Sequence, residues 1–270
     1  MNSDLPFQSV AVLGVPFDEH SSFLQGPAKA PQRIREALRS GSTNLCVESG
    51  FDLGEDERWR DAGDMSFDEN TPPFEQIEKE IAELLETGSR VLTLGGDHSI
   101  TYPILRAYSR KYSQLTVVQL DAHPDLYDEL DGNRLSHACP FARVMEEKLI
   151  SRLMQIGIRT MNPHQRHQAE RFLVEIVEAR LWSLEALATI DGPVYLTLDL
   201  DVLDPAFAPG VSHHEPGGLT TRDVLGIIQK MPGKIVGADI VEYNPDRDPV
   251  GVTAMVGAKF LKEIVARMLG

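Results

Sequence analysis

Residues 119–128 read QLDAHPDLYD, and within them Asp121, His123 and Asp125 fall at every second position, just after the apolar run 115–120. In extended backbone such positions share one face, and Pro124 keeps the residue before it extended. The spacing recurs in Asp199 and Asp201, after the apolar run 194–198. His98 stands in GGDHS, residues 95–99, after the apolar run 91–94. A single Asp at a strand end ordinarily caps a turn or a helix. A set of carboxylates in one crevice repel one another, and each unpaired buried charge costs several kcal/mol. Cations must neutralise them, and two divalent ions balance four carboxylates beside neutral histidines. Oxygen and nitrogen ligands without a thiolate suit manganese better than a structural zinc site. The candidate metal ligands are therefore His98, Asp121, His123, Asp125, Asp199 and Asp201.

Two further segments bear on chemistry. The apolar run 234–241 leads into Glu242, which either pairs with Arg247 or faces the same crevice to hold a cation. The loop DGNRLSH, residues 131–137, brings His137 within reach, and imidazole is the side chain best suited to proton transfer near neutral pH. His213, His214 and Glu215 are expected near the pocket without an assigned role. His164 and His167 read as solvated residues of a surface helix.

The elements that must position these groups are short. Strands are predicted over 10–15, 91–94, 115–120, 153–158, 194–198 and 234–241. Helices are predicted over 31–39, 74–87, 102–112, 140–147, 163–172, 184–190, 222–231 and 252–269. Near-continuous Val, Leu and Ile strands alternating with helices imply a parallel sheet covered by helices, as one domain over residues 1–270. The polar stretch 49–73 reads as an excursion within it. Ligands bind outside the carboxyl ends of the strands in such sheets, which is where the candidate residues stand.

The 270-residue chain is 42% hydrophobic and 25% charged, with a formal net charge of −15. Without a basic stripe to neutralise phosphates, nucleic-acid binding is not expected. An acidic balance serves solubility, and it also attracts a cationic substrate. Cys46 and Cys139 form no CxxC, so a reduced compartment is expected. The opening MNSDLPFQSV shows no secretory pattern, and no apolar run is long enough for a membrane span. A cytoplasmic protein is expected.

GGDHS, DAHPDLYD, DLDVLDP and DIVEYNP resemble the signature segments of the arginase/agmatinase (ureohydrolase) family. GVPFDEHSSFLQGPAKAPQRIREAL resembles its opening βα unit. GNRLSHACPFAR, FAPGVSHHEPGGL and TAMVGAKF are most similar to plant-type arginases and agmatinases. The resemblance implies an α/β fold, a three-layer αβα sandwich with a central mostly parallel sheet. It implies two Mn2+ per chain: His98 and Asp125 on one ion, His123 and Asp201 on the other, Asp121 and Asp199 bridging. It also implies a homo-oligomer, trimer or hexamer, and hydrolysis of a small cationic guanidino substrate to urea and an amine. In that reaction Asp125 aims the attacking water, Glu242 holds the guanidinium, and His137 protonates the departing amine. Substrate contacts are expected from Asn133, His137 and Glu242.

Agmatine is favoured narrowly over L-arginine. Thr160 and Asn162 stand where some arginases carry an acid for the α-amine, and Asp128, Glu129 and Asp131 form an acidic rim. Asn133 and Arg134 are the alternative, as receivers of an α-carboxylate. Competing readings are a 4-guanidinobutyrate or formiminoglutamate hydrolase, a single-zinc deacetylase-like enzyme, and, last, a non-enzymatic binding protein.

Overall fold

The computed structural model describes residues 9–270; the first eight residues, which carry most of the reading of the N-terminus, lie outside the described residues. Eight strands form one sheet: β1 (Ser9–Gly14), β2 (Trp59–Asp64), β3 (Ser89–Leu94), β4 (Thr116–Leu120), β5 (Arg152–Ile158), β6 (Glu175–Glu178), β7 (Pro193–Asp199) and β8 (Lys234–Val241). Their order is β2-β1-β3-β8-β7-β4-β5-β6, and every neighbouring pair is parallel. The helices are α1 (Ala30–Leu38), α2 (Pro73–Glu86), α3 (Thr101–Lys111), α4 (Pro140–Glu146), α5 (Pro163–Phe172), α6 (Thr221–Lys230) and α7 (Val252–Leu269).

The central strands are mostly apolar, and alternate residues serve different layers. Val12, Leu94, Leu120, Leu198 and Ile240 pack with Ile34 of α1, Ile227 of α6 and Phe260 of α7. Leu13, Val91, Val117, Tyr195 and Val241 pack with Ile81 of α2, Ile104 of α3 and Phe141 of α4. Helices thus cover both faces, and the three-layer αβα architecture stands.

The two strands that the sequence did not announce are the sheet's edges. β2 reads WRDAGD and has no buried residue; Arg35 of α1 ties it down through Asp61 (2.9 Å) and Asp64. β6 is four residues long and likewise has none. Edge strands have one neighbour and a solvated flank, so they lack the apolar signal of central strands. The expected helix over 184–190 is a 3-10 helix, Leu184–Thr189. No helix is long and apolar enough to cross a membrane among the described residues.

Gly96 shows how tightly the strand ends are drawn together. A Cβ there would overlap the Phe17 carbonyl oxygen, while the Gly96 carbonyl accepts the Glu242 N–H at 2.9 Å. Gly96→Ala is expected to cost at least about 3 kcal/mol, roughly 6 °C in Tm by calorimetry; an unchanged Tm would show that the loops separate without cost.

Candidate metal centre and its cavity

Three strand ends deliver the predicted ligands. β4 ends at Leu120 and supplies Asp121, His123 and Asp125; β7 ends at Asp199, with Asp201 two residues on; His98 follows β3. All six converge. Oxygens of Asp121, Asp125 and Asp199 lie 3.1, 3.1 and 3.3 Å from His98 Nδ1. His123 Nδ1 lies 2.9 Å from Asp201 and 3.5 Å from Asp121. Two groups with metal-ligand spacing result, His98–Asp121–Asp199 and Asp121–His123–Asp201, and Asp121 belongs to both.

The local backbone explains the aim. Asp121 accepts the N–H of His123 (2.6 Å), Asp199 accepts that of Asp201 (2.7 Å), and Asp201 accepts that of Ala122 (3.1 Å). Each carboxylate thereby fixes the segment that carries the next ligand. Behind them, Gln119 Nε2 donates to Asp121 (2.7 Å), and Gln155 Nε2 donates to Gln119 Oε1 (2.6 Å).

His98 provides the test of fit. The tautomer that donates Nε2–H to Thr197 Oγ1, 2.9 Å away, leaves Nδ1 bare. That nitrogen is buried and makes no hydrogen bond, although three carboxylates surround it. A lone pair facing three anionic oxygens is stable only around a proton or a cation. Burial opposes charge on His98, yet the carboxylates outweigh it and hold the imidazole well above its usual range. Burial, with the charges of Asp201 and Asp121, pushes Asp199 well up, and burial with Asp121 pushes Asp125 up to about 6. The donor set fits divalent cations.

Glu242 and His137 complete the floor. His137 Nδ1 lies 2.8 Å from Glu242 Oε1, which also accepts the His98 N–H at 2.8 Å. Glu242 therefore faces the crevice rather than Arg247. Burial opposes the imidazolium of His137, but Glu242 prevails and raises it to about 9. At His137 Nε2 the Ser22 N–H (3.1 Å) fits the neutral ring, while the Ser22 hydroxyl (2.8 Å) can accept from Nε2 when it is protonated. Asp125 and Glu242 both have positive φ, 50° and 63°. Such backbone costs on the order of 1–3 kcal/mol per residue and clusters at functional sites.

The cavity above has a volume of about 150 Å³. Besides the ligands, His137 and Glu242, its walls are Ser22, Tyr127, Leu130, Ala138, Gln165 and His213. Sequence reasoning missed Ser22, Tyr127 and Gln165. Ser22 and Gln165 are borne by a distant loop and by α5, for which strand-end spacing carries no signal, whereas Tyr127 continues the period of 121, 123 and 125 and was overlooked because its side chain is no metal ligand.

Asn133 is not among the lining residues: its Nδ2 contacts His20 Nδ1 (3.1 Å) and its Oδ1 accepts the Leu135 N–H (2.9 Å). Arg134 pairs with Glu146 (3.0 Å), and Asn162 caps α5 through the Gln165 N–H (2.9 Å). Asp128 takes Gln168 Nε2 (2.8 Å), and none of Asp128, Glu129 and Asp131 lines the cavity. His213, left without a role by its sequence, packs against His137 and His123, with ring centroids 5.4 and 5.8 Å apart. His214 instead bonds the Pro209 carbonyl (2.7 Å).

Comparison with known proteins agrees with this geometry. The family model described as "Arginase family" matches residues 8–266. The chain is 48% identical to "Arginase 1, mitochondrial" of Arabidopsis thaliana, covering 96% of this chain and 81% of that one. The arginase structure from Medicago truncatula superposes with a TM-score of 0.90 at 42% identity, covering 96% and 87%. A hypothetical agmatinase from Burkholderia thailandensis gives 0.86 at 32% identity, covering 96% and 85%.

Manganese added to metal-stripped protein at about a thousandfold excess over its Kd is expected to stabilise the fold by about 4 kcal/mol. Asp121→Asn, which alters the residue common to both groups, should abolish most of that gain. A Tm indifferent to manganese would exclude a metal centre here.

Proposed function

The chain belongs to the arginase family, and from that premise we propose that it is a dinuclear manganese ureohydrolase acting on L-arginine to release urea and ornithine. The family depends on binuclear metal centres, its arginase and agmatinase members hydrolyse C–N bonds of linear amidines, and the Asp/His groups of this chain fit metal binding. The observation that carries the proposal is the bare Nδ1 of His98 encircled by three carboxylates.

In this reading His98, Asp121, His123, Asp125, Asp199 and Asp201 would hold the two ions, with Asp121 common to both groups. When bound, such a pair acidifies water so that a nucleophile exists at neutral pH. Asp125 accepts a hydrogen bond from the attacking water and aims it at the guanidinium carbon. Glu242, kept anionic by His137 against its burial, holds the guanidinium by a charge-assisted contact. His137 passes a proton from Nε2 to the departing amine.

The character of the cavity walls supports arginine over agmatine, which the sequence narrowly favoured. Apart from Asp125, Asp199, Asp201 and Glu242, assigned here to the ions and the guanidinium, the cavity is lined by His123, His137, Ser22, Tyr127, Leu130, Ala138, Gln165 and His213, with no further carboxylate and no Arg or Lys among the described residues. A zwitterionic amino-acid head needs hydrogen bonds and no net counter-charge, which these groups supply. Agmatine's lone ammonium would find no anion there. The carboxylates of 4-guanidinobutyrate and formiminoglutamate would find no cation. Two ligand groups sharing Asp121 speak against a single-zinc amide hydrolase, and the five residues of those groups, with Asp125 beside His98, speak against a binding protein without catalysis.

A trimeric or hexameric assembly and a cytoplasmic address remain part of the proposal. The mitochondrial address belongs to the plant relative named for it.

Urea release with manganese supplied is expected to be fastest with L-arginine, weaker with agmatine and weakest with 4-guanidinobutyrate; agmatine in first place would overturn the substrate assignment. His137→Ala should lower kcat by about 100-fold or more while metal content stays intact. Asp125→Asn should reduce turnover at least as much, and near-normal rates would remove its aiming role.

A further inference from the structure

We propose that Arg159 is a positioning residue that braces one half of the metal centre to the substrate wall, so that the His123–Asp201 site and the His213 loop are held as one unit. The inference rests on the dinuclear reading above. The geometry begins in β5. A register shift between Ile156 and Ile158 and a φ of +99° at Gly157 bend the end of the strand. Only glycine suits that position, because a Cβ would stand 2.6 Å from Val202 Cγ2 and 3.0 Å from the Asp121 carbonyl. The bend delivers Arg159 between the two segments that carry His123 and Asp201.

Its backbone N–H donates to the Ala122 carbonyl at 2.9 Å, between Asp121 and His123. Its guanidinium turns the other way. Nη2 donates to the carbonyls of Asp201 (2.7 Å), Leu203 (3.3 Å) and Glu215 (2.6 Å). Nε also donates to Glu215 (2.9 Å), and Nη1 donates to Val202 (3.2 Å) and Gly157 (3.3 Å). Glu215 lies two residues beyond His213, which lines the cavity. One side chain therefore spans the loop after β7, the loop bearing His213, and its own bulge. The planar five-donor fork of arginine satisfies several of these carbonyls at fixed angles. Lysine, with its donors on one nitrogen, cannot. Among the described residues, none of this guanidinium's hydrogen bonds goes to His98 or Asp125.

A purely structural arginine would lower stability without distinguishing the two ions. A brace predicts a split. Manganese titration of metal-stripped wild type should show two ions. In Arg159→Met one ion should bind as before and the other about tenfold or more weakly, the usual cost of losing an outer-shell partner. KM for L-arginine should rise severalfold, while kcat at saturating manganese changes little. Arg159→Lys should fall between. Arg35→Met, which releases β2 from α1 far from the centre, serves as the stability control and should lose Tm while keeping both ions and KM. Arg159→Met that binds both ions with wild-type affinity, that weakens both equally, or that leaves KM unchanged overturns the proposal. If Arg159→Met does not fold, the lysine variant decides by the same criteria. Fewer than two ions in the wild type overturns the dinuclear reading, and this inference with it.

Discussion

The organising constraint is electrostatic. Asp121, Asp125, Asp199 and Asp201 are all buried, and their oxygens crowd around two imidazoles. Ionised carboxylates taken out of water and set beside one another are unfavourable unless a cation joins them. The fold leaves them few protein donors: the hydrogen bonds they accept come chiefly from backbone N–H groups of their own segments and from Gln119. Those bonds fix direction without cancelling charge. The site is therefore high in energy when empty, and filling it is coupled to the stability of the whole sheet.

A parallel sheet suits this task because all its strands end on the same side. The register carries the precision one row further back. Thr93, Asp239, Thr197, Gln119 and Gln155 stand opposite one another across β3, β8, β7, β4 and β5, and all are fully buried. From this row Thr197 meets His98 and Gln119 meets Asp121. An apolar row would pack as well but would leave the ligands free to rotate. The positive φ of Asp125 and Glu242 belongs to the same logic: strain is tolerated where surrounding hydrogen bonds determine the backbone.

Much of this was legible in the sequence because strand ends write in a short code. Period two after an apolar run located Asp121, His123, Asp125, Asp199 and Asp201, and the sum of their charges implied cations. The central strands were equally plain. β2 and β6 were not, since an edge strand such as WRDAGD is half solvated and held by Arg35 rather than by burial. The substrate wall was the least legible part. The acidic loop 128–131 read as a rim, yet the fold turns Asp128 towards Gln168 and gives the wall to Tyr127, Gln165 and His213. Which side of a loop faces a cavity depends on contacts distant in sequence, and no local period encodes it.

The two parts of the site accordingly obey different rules. The candidate metal half is built on strand ends and tolerates little change, because Asp121, Asp199 and Asp201 also fix the backbone of the ligand segments. The wall is built from the loops around Ser22, Leu130 and His213 and from the first turn of α5, where side chains can vary without breaking the sheet. Selection among guanidino compounds can then change while the charge-driven chemistry beneath stays constant. Independence cannot be complete, however, since a wall free to drift would lose its alignment with the guanidinium carbon. Some element must carry the fixed geometry of the strand ends into the loops. Arg159 stands where that requirement falls, with its backbone on the metal segment and its guanidinium on the carbonyls of the wall.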